Sequence, residues 1–317
     1  MNDFLMIAAG LVLLFIGGEA LLRGSVSIAY RMGLSKLLVG AVIIGFGTSM
    51  PEMMVSVGAA LKGSPEIALG NVVGSNIANI LLIIGLAAVL SPLLVSPSAV
   101  RRDVMAMMAA SGALCIIAVF DIMHALTGAV IALALLGYVI YCYRADRKAS
   151  AGASDANEQP EEKPLNPLLA AAGCIVGLAG LMGGAHLLVT GAVSLARGFG
   201  ISEAVIGLTI VAVGTSLPEL ATAVVSSLRK QNELVIGNIL GSNVFNILCI
   251  LGVTMMVKPI AAEGRIIHTD IWIMLGVAAF LSVFLWRGIR MGKAAGLAML
   301  AAYAAYTAWL YLSASAA

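Results

Sequence analysis

Charge is what this sequence has least of. Lys, Arg, Asp and Glu make up 11% of its 317 residues, where a soluble domain carries about 25%. Hydrophobic residues reach 61% and the mean hydropathy is +1.04. No water-soluble fold can cover that much apolar surface, so the chain is an integral membrane protein. The net charge of +2 offers no electrostatic footprint for nucleic acid, and no nucleic-acid or obligate protein partner is expected. Histidine occurs three times and cysteine four times. Cys115, Cys142, Cys174 and Cys249 sit singly in apolar runs without a CxxC spacing, and read as small buried hydrophobes. There is no HExxH motif and no nucleophile–base pair, which argues against an intramembrane enzyme. No resident cofactor is expected. No basic region precedes the first apolar run, only Asn2 and Asp3. Residues 3–22 are therefore read as a retained span and not as a cleaved leader.

What is present is a series of apolar runs bounded by charge, Gly or Pro. They predict ten helices, near 3–23, 36–62, 66–90, 103–121, 125–144, 166–196, 203–228, 233–257, 270–286 and 294–312. One polar stretch, from about Ala145 to Pro164, reads as a solvated connector. The chain also repeats. A shift of 167 residues lays Gly33-Leu34-Ser35 on Gly200-Ile201-Ser202, Glu52 on Glu219 and Asp103 on Asp270 without a gap. Five spans in each half would set the second half upside down in the membrane. The expected fold is thus an all-α membrane protein of ten transmembrane helices, arranged as two inverted-topology five-helix repeats. Residues 1–145 form the first repeat, 146–164 the linker and 165–317 the second repeat.

Orientation follows from the basic residues. Arg23, Arg31, Lys36, Arg101, Arg102, Arg144, Arg147, Lys148, Lys163, Arg229, Lys230, Arg287, Arg290 and Lys293 fall on odd-numbered loops. Lys62, Arg197, Lys258 and Arg265 fall on even-numbered ones. The split of 14 to 4 among the 18 basic residues predicts odd loops and linker in the cytoplasm and both termini outside, in a plasma or inner membrane.

The repeated stretches carry the chemistry. Gly47-Thr48-Ser49-Met50-Pro51-Glu52 recurs as Gly214-Thr215-Ser216-Leu217-Pro218-Glu219. Gly70-Asn71-Val72-Val73-Gly74-Ser75-Asn76 recurs as Gly237-Asn238-Ile239-Leu240-Gly241-Ser242-Asn243. Glu52 and Glu219 fall near the middle of their spans, where an unpaired carboxylate costs several kcal/mol. No Lys or Arg lies at that depth, so a cation or a proton is the remaining partner. Thr48 and Ser49 stand four and three residues before Glu52, on the same face of a continuous helix; Thr215 and Ser216 do the same for Glu219. Pro51 and Pro218 have no N–H and should break or bend the helix beside Gly45, Gly47 and Gly214, freeing carbonyl oxygens toward a cavity. Ser75 with Asn79, and Ser242 with Asn246, add further oxygens at helical spacing. An all-oxygen cage suits calcium, which takes six to eight oxygen ligands in irregular geometry; sodium accepts the same ligand types.

GTSxPE with GNxxGSNxxN, present in both halves, resembles the sodium/calcium exchanger branch of the calcium/cation antiporter superfamily. The resemblance covers nearly the whole chain. It implies an antiporter that exports calcium in exchange for sodium by alternating access. It implies that Glu52 and Glu219 bind calcium directly, with the main-chain carbonyls of Thr48 and Thr215. It also implies sodium sites on the same glutamates and on Ser49, Ser75, Ser216 and Ser242, with the carbonyls of Gly45 and Ala212 at matching positions. Some relatives, including potassium-dependent ones, have Asp where this chain has Asn79 or Asn246. Two amides leave the site with two formal negative charges: one calcium neutralises it, and three sodium ions would leave it at +1. Proton-coupled relatives usually show GNxxE-type repeats, which makes a calcium/proton antiporter the alternative and not the first reading.

Other polar residues have blander readings. Glu19 and Arg23 suit a local i,i+4 ion pair. His186, matching Glu19 in the other half, reads as packed or solvated. Asn76 and Asn243 suit interhelical hydrogen bonds better than ion ligation, and Asn71 and Asn238 suit helix-start caps or bonds between helices. Trp272, Trp286 and Trp309 lie near span ends, as interfacial anchors do.

Overall fold

A computed structural model of the protein describes residues 2–152, 164–199, 212–260 and 265–315. Among them the regular structure is helical. The elements are α1 (Asp3–Met32), α2 (Lys36–Thr48), α3 (Met50–Leu61), α4 (Ile67–Leu90), α5 (Pro97–Val119), α6 (Ala125–Lys148), α7 (Pro167–Gly198), α8 (Leu217–Leu228), α9 (Asn232–Val257), α10 (Ile266–Trp286) and α11 (Lys293–Ser313). Eight of these are long and apolar enough to cross a membrane among the described residues, or nine if the bent pair α2–α3 is one span. The expected span 203–228 lies partly outside the described residues; its described part is a helical turn at Ala212–Gly214 followed by α8.

Helix ends follow capping chemistry more closely than charge. The first helix was expected to stop at 23, but α1 runs on to Met32 and ends at Gly33 with φ 63°, a left-handed conformation that suits glycine. Arg23 does not end the helix because it pairs along it with Glu19 at 2.7 Å. Helix α5 begins at Pro97 and not at 103, proline being preorganised for a first helical turn. Helix α6 continues past the expected end at 144, so Asp146, Arg147 and Lys148 are helical and the connector is shorter than the polar composition suggests. Arg, Lys and Ala are good helix formers, so the charge in this stretch is no obstacle to a helix.

The centre is built from α4 and α9. In their most apolar windows 78% and 89% of residues are buried, against 33% for α1 and α7 and 11% for α11. Helix α9 lies against α2 through bare backbone. A Cβ at Gly45 would stand 3.0 Å from the Ser242 nitrogen, and one at Gly40 3.0 Å from the Leu234 carbonyl. Helices α1 and α7 meet along a second seam. A Cβ on Gly17 would come within 2.8 Å of the Gly177 oxygen, and one on Gly184 within 2.8 Å of the Gly10 oxygen. Small residues allow such close approach where lipid gives no hydrophobic drive for helix association.

Among the described residues four π-helical turns interrupt the helices, at Gly40–Ile44, Asn79–Ile84, Asn246–Leu251 and Ile266–Asp270. The second and third occupy matching places in the two halves. Such turns concentrate at functional sites because they leave carbonyls off the regular ladder.

Contacts sort the connecting segments into two ends. At one end Asp146 accepts hydrogen bonds from the Ser35 hydroxyl at 2.6 Å and from Arg102 at 3.0 Å. Leu93 and Met291 exchange main-chain hydrogen bonds there at 2.8 and 2.9 Å. Asn232 donates to the Pro92 carbonyl, Arg101 lies 4.5 Å over Trp286, and Arg229 pairs with Glu19. At the other end Ser194 donates to Asp3 at 2.8 Å, the Ile260 nitrogen to the Met123 oxygen at 3.0 Å, and Arg265 to Ser313 at 3.0 Å.

Candidate functional site

The two GTSxPE stretches are breaks in helices. At Ser49 the backbone turns to φ −82° and ψ 5°, and α2 and α3 diverge by 43°. Ser216 has φ −90° and ψ 9° before α8. Pro51 and Pro218 fill the first turns of the helices that follow, where no upstream partner for an N–H is needed. Glu52 and Glu219 stand in those same first turns. Free main-chain N–H groups at a helix start favour a carboxylate.

The break changes which hydroxyl meets which acid. On a continuous helix Thr48 and Ser49 would share the face of Glu52. Instead Ser49 Oγ donates to Glu219 Oε1 at 3.0 Å, and Ser216 Oγ donates to Glu52 Oε1 at 3.1 Å. Each half orients the acid of the other. Thr48 is buried, and its hydroxyl turns back to the Ile44 carbonyl at 3.0 Å and toward Asn238 Oδ1 at 3.4 Å. Thr215 is half-buried, and its Oγ1 has no partner. The Gly45 carbonyl accepts from the Ser49 nitrogen at 3.1 Å and from Ser242 Oγ at 3.3 Å. Ser75 and Ser242 are buried beside the amides of their helices. The side chain of Ala212 lies outside what is described.

Asn79 and Asn246 open the matching π turns of α4 and α9. Both are 1% exposed, and their Nδ2 groups are engaged, while Oδ1 of each has no partner in the protein. The second carboxylate oxygens, Oε2 of Glu52 and Glu219, are equally bare. Seven buried side-chain oxygens among the described residues lack a hydrogen-bond partner, and five of them are these four and Thr215 Oγ1. Buried polar atoms are normally satisfied, and an exception needs a cause.

The other buried acids make the contrast. Asp103 accepts from Tyr138 at 2.5 Å and from Arg102 at 3.1 Å; Asp270 accepts from Arg265 and Tyr306, both at 3.2 Å. These two carry their counter-charge beside them. Glu52 and Glu219 are 1% exposed and have none, since the buried polar residues include no Lys, Arg or His among those described. The described residues also hold no cluster of three or more His, Cys, Asp or Glu; the donors they offer here are two carboxylates and neutral oxygens.

Of the two roles open to Asn71 and Asn238, a helix-start cap or a bond between helices, the structure shows the second. Asn71 Nδ2 donates to the Glu52 carbonyl at 3.2 Å and to Ser56 Oγ at 2.9 Å, and Asn238 Nδ2 to Thr222 Oγ1 at 3.0 Å. They tie α3 to α4 and α8 to α9. Their recurrence at matching positions was the available signal. Ser56 and Thr222 are offset by one residue between the halves, so the repeat hides them. Glu19 pairs with Arg23 as expected and also with Arg229, and His186 is exposed.

Comparison with known proteins agrees with this geometry. A sequence model described as sodium/calcium exchanger protein matches residues 2–145 and 169–312. CaxA of Alkalimonas amylolytica, named as a candidate antiporter, is 37% identical over 91% of this chain and 90% of its own length. The inner membrane protein YrbG of Escherichia coli is 30% identical, with 96% of both chains covered. Among solved structures, the sodium-calcium exchanger NCX_Mj soaked with zero sodium and calcium superposes with a TM-score of 0.82, at 29% identity, over 97% of this chain and 98% of that one. Paired helix breaks, crossed serine–glutamate bonds and a family match in both halves lead to one conclusion: the chain belongs to the sodium/calcium exchanger family.

Proposed function

We propose that the protein is a secondary antiporter that exports calcium in exchange for sodium by alternating access. The observation that carries this is the set of four bare oxygens, Oε2 of Glu52 and Glu219 and Oδ1 of Asn79 and Asn246. Two buried carboxylates without a counter-charge are costly unless a cation joins them. Hard oxygens without thiolate or imidazole suit calcium or sodium. Glu52 and Glu219 are the calcium ligands, with the Thr48 and Thr215 carbonyls. Ser49, Ser75, Ser216 and Ser242, with the Gly45 and Ala212 carbonyls, complete the sodium positions. Because the same carboxylates serve both ions, one must leave before the other binds, which is the basis of exchange.

The architecture we assign is ten spans in two inverted five-helix repeats, residues 1–145 and 165–317, with residues 146–164 as a cytoplasmic linker. The sorting of connecting segments to two ends and the matched π turns support it. The basic residues gather at the linker end, which supports a cytoplasmic face there and both termini outside.

The test is calcium uptake into everted vesicles. A sodium gradient at fixed pH should drive uptake. Uptake that needs only a pH gradient would make the protein a calcium/proton antiporter instead. Glu52→Gln or Glu219→Gln should abolish uptake of either kind while the protein still inserts; near wild-type exchange in either variant would overturn the site assignment.

A further inference from the structure

Two amides beside the site do not themselves face it. Asn76 and Asn243 are 1% exposed. Asn76 Nδ2 donates to the Asn243 carbonyl at 3.3 Å and lies 3.8 Å from Met274 Sδ, and its Oδ1 accepts from Asn246 Nδ2 at 2.9 Å. The other half repeats the pattern. Asn243 Nδ2 donates to the Asn76 carbonyl at 3.5 Å and lies 3.8 Å from Met107 Sδ, and its Oδ1 accepts from Asn79 Nδ2 at 3.0 Å.

The orientation of every amide in this chain of bonds is anchored in the main chain. A carbonyl oxygen only accepts, so the Asn243 carbonyl requires the nitrogen of Asn76 to face it. That turns Asn76 Oδ1 toward Asn246. An amide oxygen only accepts as well, so Asn246 must present Nδ2 to it. The remaining end of Asn246, its Oδ1, is then the end without a protein partner. The same reasoning runs from the Asn76 carbonyl through Asn243 to Asn79. An Asn free to flip would present its NH2 group as readily as its oxygen, and an NH2 group repels a cation.

We propose that Asn76 and Asn243 are positioning residues that lock the ligand oxygens of Asn246 and Asn79 toward the transported cation. The locking crosses the repeat: α4 orients the ligand on α9, and α9 the ligand on α4. The proposal rests on the reading of Asn79 and Asn246 as ion ligands. It differs from a plain clamp between two helices, which would stabilise the fold without regard to either ligand.

A double-mutant cycle separates the two, with the KM for calcium and the maximal rate of sodium-driven uptake measured in proteoliposomes and thermal stability alongside. Asn76→Ala should raise the calcium KM about tenfold, the scale of one lost buried hydrogen bond, with the maximal rate within about twofold. In the Asn246→Ala background the same change should add less than about twofold, since its target is gone; coupled residues behave this way. In the Asn79→Ala background it should keep its full effect. Asn243→Ala should show the converse pattern, coupled to Asn79 and independent of Asn246. Asn76→Ser, too short to reach Asn246, serves the same cycle if the alanine variant does not insert. An equal KM effect in every background, or a loss of thermal stability with no KM change, overturns the positioning role and leaves the ligand reading standing. An Asn246→Ala protein with wild-type KM overturns the ligand reading, and the proposal with it.

Discussion

At the scale of single residues, the four buried acids among the described residues do two different jobs. Asp103 and Asp270 each sit with an arginine and a tyrosine, while Glu52 and Glu219 sit with a serine from the opposite half. The two classes should respond in opposite ways. Arg102→Leu strands the Asp103 carboxylate and should lower stability by up to about 3 kcal/mol, with the calcium KM of whatever protein folds unchanged; a thermal melt and a flux assay on one preparation check both. Ser49→Ala and Ser216→Ala should do the reverse. Each removes a hydroxyl that orients a carboxylate oxygen, a loss of roughly 1–2 kcal/mol in a buried setting, read as a five- to thirtyfold weaker ion response with little change in melting temperature. Matched effects from the two serines would reflect their matched geometry. The motif itself announces Glu52, Glu219 and the serines. That the serines serve the opposite acid is not legible there, because it depends on a 43° break whose size local sequence does not specify.

At the scale of elements, packing is governed by glycine seams that hydropathy does not register. Gly10, Gly17 and Gly24 on α1 recur every seven residues and meet Gly184, Gly177 and Ala170 on α7. A side chain at Gly17 would collide with main-chain atoms at 2.8 Å, and backbone cannot swing away as a side chain can. Gly17→Val should therefore separate α1 from α7 and destabilise the protein by about 1–3 kcal/mol. Gly183, also on α7, has nothing within 4 Å of the added carbon. Gly183→Ala should be neutral, or stabilising by about 0.5–1 kcal/mol from helix propensity. Thermal melts of the two variants in one detergent test the seam directly, and equal melting temperatures would refute it. The apolar runs themselves were easy to read. Their ends were not, because Arg23 and Asp146 looked like boundaries yet find partners along or beside a continuing helix.

At the scale of the whole molecule, the repeat does more than duplicate a site. Glu52, Glu219, Asn79 and Asn246 are each hydrogen-bonded by a residue of the other half, so neither half alone sets the orientation of its own polar groups. This is why the doubled motif pointed to the site more strongly than either copy could. The imbalance of basic residues adds a direction. Lys148 lies in the last turns of the helix that contains α6, at the end where Asp146 meets Ser35 and Arg102. Lys62 follows α3 at the opposite end, where a Cβ on the neighbouring Gly63 would lie 3.8 Å from Lys258 Nζ. Both lysines are exposed, whereas Cys115, Cys142 and Cys174 are buried and Cys249 partly so. A membrane-impermeant maleimide applied to intact cells should therefore label Lys62→Cys and leave Lys148→Cys unlabelled until the membrane is opened. The reverse pattern would invert the protein in its membrane and show that the 14 to 4 distribution of basic residues does not set its orientation. Labelling of both from one side would place the two lysines at the same end, and the span count from α3 to α6 would then be wrong by one.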